Sequence, residues 1–150
     1  MNLQKGQSMF ELVVAIAICA LIIVAIVSLT TNSIRNSSYS KNKALAATYA
    51  QQATEWLRGQ RDSNINTFIG IATTPAWCLQ ELDFTQPAIN PAVNCTEKIM
   101  DTPFVRWVSF NTSLQGGKTV VEADITVSWV DSQGTHTIKS ATSFSDWRQW

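Results

Sequence analysis

Few side chains in this 150-residue chain have the type and spacing to do chemistry. His136 is the only histidine, so any nucleophile–base–acid set would have to use it. Its place beside a turn, in a strand-like stretch, makes it an ordinary surface residue. Glu122 and Asp124 alternate on one strand face and suggest an acid pair or part of a calcium site. A calcium ion wants six or more oxygens, and no Asp-rich loop accompanies the two, so both are read as solvent-facing. Zinc is not expected, because His136, Cys78 and Cys95 form no C-x-x-C or His-rich spacing. Gly116-Gly117 lies between two strand-like runs and is a turn, not a phosphate loop. The triplets beginning at Asn36, Asn94 and Asn111 match the glycosylation sequon, a pattern short enough to arise by chance. No enzyme activity, cofactor or metal is expected.

One placement stands apart. Glu11 sits at the head of residues 12–27, every one of them apolar, and residues 9–29 approach the ~20 residues needed to cross a bilayer. A carboxylate within such a span costs ~2.5–3.5 kcal/mol at the bilayer centre and less near its edge. An ordinary anchor would do better without it. The span contains neither Gly nor Pro, so nothing interrupts one continuous helix. A secretory signal peptide fits less well, since the apolar run is long and Val27-Ser28-Leu29-Thr30 offers no small-x-small cleavage site. A plain signal anchor would not explain Glu11.

Gly6, then four residues, then Glu11 at the start of the apolar run resembles the N-terminus of type IV prepilins. Pilins, minor pilins and type II secretion pseudopilins make up that class. The resemblance implies cleavage between Gly6 and Gln7 by a prepilin peptidase and N-methylation of Gln7. It implies assembly through Glu11, which would pair with the terminal amine of a neighbouring subunit. Gln7 stands where Phe is common, and Ala20 and Ser28 stand where major pilins often carry glycine and proline. These departures point to a minor subunit. The expected function is therefore a structural or assembly-priming minor pilin. A secretion pseudopilin and a non-polymerising, membrane-anchored binding domain are the alternatives. The implied partners are other pilin or pseudopilin subunits, the peptidase/N-methyltransferase, an inner-membrane assembly platform, and lipid before assembly. Lys5 before the span against Arg35, Lys41 and Lys43 after it would, by positive-inside counting, keep the later segment cytoplasmic. The resemblance implies the opposite: a single pass with the head outside, then a place in a surface or periplasmic filament.

Eleven Lys and Arg balance eleven Asp and Glu, so no electrostatic reason exists to expect nucleic acid. Residues 1–6 are the expected leader and 7–29 the membrane half of a long helix. Residues 30–63 form its amphipathic half, with Leu45, Ala46, Tyr49, Ala50, Ala53, Trp56 and Leu57 at helical spacing as core. Residues 64–150 form a head that opens irregularly at Asn64-Ile65-Asn66. All four prolines (Pro75, Pro87, Pro91, Pro103) then mark a loop-rich stretch holding Cys78 and Cys95. In an extracytoplasmic head these two would pair; in a reducing setting they stay free, and Cys19 stays unpaired in either. Residues 104–111, 121–129 and 135–144 read as strands, the second alternating cleanly between a buried and a wet face. The expected fold is α+β, a long transmembrane and amphipathic helix packed under a small antiparallel sheet. That sheet is read as a three-stranded meander with room for a fourth.

Overall fold

The computed structural model describes residues 5–146, with side chains from Met9 onward; residues 1–4 and 147–150, including Trp147 and Trp150, lie outside it. The chain is α+β. Helix α1 (Lys5–Ser63) precedes a five-stranded antiparallel sheet. Residues 1–41 and 42–150 form separate compact units.

In the second unit, α1 buries a narrow stripe: Ala46, Ala50, Ala53 and Leu57, every third or fourth residue. Three alanines let the helix lie close to the sheet, and Thr54 hides its hydroxyl by donating to Ala50 O at 3.0 Å. Tyr49 and Trp56 are half-buried flanks that pack against Phe104 and Phe84, and Leu45, expected in the stripe, is exposed instead.

The opening of the head differs from the expectation of irregular chain. Asn64 is extended and accepts the Thr67 N–H at 3.1 Å, which caps a second helix, α2 (Ile65–Ala72). Its Phe68 is buried edge-to-face against Phe110 and Phe144. The asparagines that looked like helix breakers thus start a new helix.

The meander is larger than expected. Strands β3 (Val105–Gln115), β4 (Lys118–Asp131) and β5 (Gly134–Ser145) run antiparallel in order, as the alternation requires. Gly116 and Gly117 both have positive φ, as a two-residue turn between paired Gln115 and Lys118 demands. Two short strands from the proline-rich stretch, β1 (Ala76–Cys78) and β2 (Gln86–Pro87), extend the sheet to the order β2-β1-β3-β4-β5. Pro87 sits in the edge strand, where a missing N–H does least harm.

Val121, Ala123, Ile125, Val127 and Trp129 are all buried, as the period-two pattern predicts. The opposite face is not uniformly wet. Thr126 is also buried, paired across from Trp107. There the disulfide-closed loop folds back, and Ala76, Cys78, Ala88 and Cys95 pack with Val105 and Trp107 into a second small core. Nearer the start of β4, Glu122 and Asp124 on this face reach solvent.

Cys78 and Cys95 are bonded, 17 residues apart in sequence. Replacing both with alanine should lower head stability by about 3 kcal/mol, the chain-entropy value for a loop of this size. Denaturant unfolding followed by tryptophan emission measures it, and an unmoved midpoint would count against a closed loop. At the β4–β5 turn, Asp131 accepts the Gln133 N–H at 2.7 Å and lies 2.9 Å from His136 Nε2. The Gln133 N–H first, then His136 and the Gly134 N–H, hold its carboxyl below the usual carboxylate range. A depressed acid stabilises the fold above its unfolded pKa of ~3.9, and that contribution is lost as pH falls through the lower folded value. Asp131→Asn should therefore melt earlier than the wild type at pH 6, with the gap closing below about pH 4.

Candidate functional site

The structure keeps Glu11 on the helix that the sequence implied and gives it no protein partner among the described residues. Its side chain is exposed, and the next charged residue along α1 is Arg35. By the 3.6-residue repeat, positions 7, 11 and 15 fall on one side of the helix. Gly6 and Gln7, the expected cleavage pair, lie within α1, but their side chains fall outside those described.

Beyond Glu11 the helix is apolar all round and uncovered. Leu12 is 62% exposed and Ile16 61%, and no residue of the most apolar window is buried. The helix is long and apolar enough to cross a membrane. One side carries a shallow apolar groove lined by Leu12, Ala15, Ile16, Cys19, Ala20 and Ile23. Small Ala15, Cys19 and Ala20 sit between large neighbours, a relief into which the ridge of another helix fits. Thr30 and Thr31 return their hydroxyls to Ile26 O and Val27 O, so the first polar residues after the run remain part of the helix.

The remaining candidates sort clearly. Cys78 and Cys95 come together, whereas Cys19 is a free thiol on the exposed helix. Glu122 and Asp124 share an exposed patch of the sheet with Ala141, Thr142 and Ser143, and Asn111 Nδ2 donates to Glu122 at 3.3 Å. His136 is more engaged than a plain surface residue. It stacks on Trp129, with ring centroids 5.2 Å apart, and meets Asp131. These contacts brace the β4–β5 turn.

One functional residue escaped the sequence reading. Arg106, embedded in an aromatic and β-branched strand, is buried at 3% exposure on the helix-facing side of β3. Its Nε donates to Leu79 O at 2.8 Å and its Nη1 to Tyr49 O at 3.0 Å, so one side chain ties the proline-rich loop to α1. Burial lowers its pKa to about 10. The strand parity alone was the available signal: position 106 shares a face with Val108 and Phe110.

No protein-family profile matches the chain, and neither curated proteins nor solved structures give a match.

Proposed function

We propose that the chain is an assembling subunit of a type IV pilus-like filament, of the minor or assembly-priming kind. The observation that carries this reading is Glu11, an exposed acid heading an uncovered apolar helix, five positions after Gly6. In this scheme, a membrane peptidase removes residues 1–6 and leaves a positive amine on Gln7, which is then methylated. Before assembly, the single membrane pass holds the head outside the inner membrane. The Cys78–Cys95 bond supports that side, since disulfides persist in oxidising compartments.

The driving force is electrostatic and apolar together. A lone Glu11 near lipid carries a desolvation penalty, and so does a lone terminal amine. Bringing the Glu11 of an incoming subunit to the amine of a seated one relieves both and fixes axial register. The exposed groove of residues 12–23 then meets neighbouring helices in place of lipid.

Two substitutions test the scheme. Glu11→Val should leave leader removal intact and sharply reduce the amount of protein recovered in sheared filaments. Gly6→Phe should leave the full-length mass by mass spectrometry of the native N-terminus. Normal incorporation of the first variant, or cleavage of the second, would overturn the proposal.

A further inference from the structure

The second unit contains a cavity of about 350 Å³ beside Arg106, lined also by Tyr49, Gln52, Gln80, Leu82 and Met100. Arg106 has five N–H donors, and the two carbonyls occupy two of them. Among the described residues no carboxylate pairs with it, although three other ion pairs form elsewhere. Gln80 Oε1 is buried and has no hydrogen-bond partner among the described residues. A buried polar group left in that state costs free energy, as does a buried cation without an anion. The rim is the opposite in character, with Met100 82% exposed and Leu82 37%.

We propose that this cavity binds an acidic peptide. A Glu or Asp carboxylate would take the free edge of the Arg106 guanidinium, a neighbouring backbone N–H would satisfy Gln80 Oε1, and an apolar neighbour would cover Met100 and Leu82. A planar fork suits a carboxylate and is held in place by its two carbonyls. Glu81 also lines the cavity but is exposed, so water screens its charge while Arg106 keeps most of its field. Nothing in this site draws on Glu11, so it stands or falls apart from the filament proposal.

The test uses the full chain in detergent micelles with ¹³C-methyl methionine, where Met100 is the one methionine beyond residue 9. Acetyl-Leu-Glu-Leu-amide should shift the Met100 methyl resonance saturably. The glutamine counterpart should bind about tenfold more weakly, the size expected of a charge-assisted hydrogen bond. Glu81→Gln should tighten binding of the acidic peptide several-fold. Arg106→Lys should weaken it about tenfold. Should that variant fail to fold, Gln80→Leu keeps the guanidinium and should weaken the peptide while leaving acetate unaffected. Equal response to the two peptides, or no saturable shift, would overturn the proposal. So would acetate alone saturating the site as readily as the peptide, which marks a small-anion site instead.

Discussion

From residue 12 to residue 34 no side chain of α1 carries a charge, and in the isolated chain none of the most apolar part is covered. That exposed surface is the constraint on everything else. Apolar area left in water costs ~25 cal/mol per Å², so a helix of this kind exists only within lipid or among other helices. In the proposed filament, Glu11 makes the first of these homes uncomfortable and the second attractive, because a positive amine waits there.

The second unit solves a different problem with the same helix. Past residue 42 the stripe of Ala46, Ala50, Ala53 and Leu57 is too slight to hold a sheet by bulk alone. The mass comes from α2 and the sheet with its approach, from Phe68, Phe104, Phe144 and Trp129, whose rings meet edge-on. Arg106 adds direction to this packing. By donating to carbonyls on both α1 and the proline-rich loop, it fixes which part of the helix faces which end of the loop. The disulfide then closes that loop over the outer face of β1 and β3, giving a short chain two small cores in place of one. A small domain buries little of its surface, so a covalent staple matters more here than in a large one.

Much of this was legible in order of residues. The long helix, the alanine stripe, the three-strand meander and the buried parity of residues 121–129 all follow from period and composition, because each depends on local repetition. What was not legible depends on partners distant in sequence. Asn64 looks like a break until the helix it caps is present. Ala76 and Gln86 do not alternate long enough to announce strands; the first becomes one on the free edge of β3 and the second on the edge that β1 then offers. Thr126 looks wet until the loop bearing Cys95 covers its neighbourhood. Arg106 is the clearest case. Its type says surface, its parity says core, and only carbonyls 27 and 57 residues away resolve the conflict.

Glu11 and Arg106 present the same physics with opposite sign. Each is a charge with no counter-ion among the described residues, Arg106 buried in the head and Glu11 on an exposed helix that the proposed scheme puts at the lipid edge. Arg106 is made tolerable by two carbonyl dipoles, which stabilise a cation without neutralising it. Glu11, an anion, would need N–H donors instead, and from residue 9 onward those of its own helix are engaged by the helix ladder. The arginine can therefore persist inside a folded head. In the proposed filament, the acid settles at the lipid edge or against a partner's amine, so it is the N-terminal helix rather than the head that needs other chains.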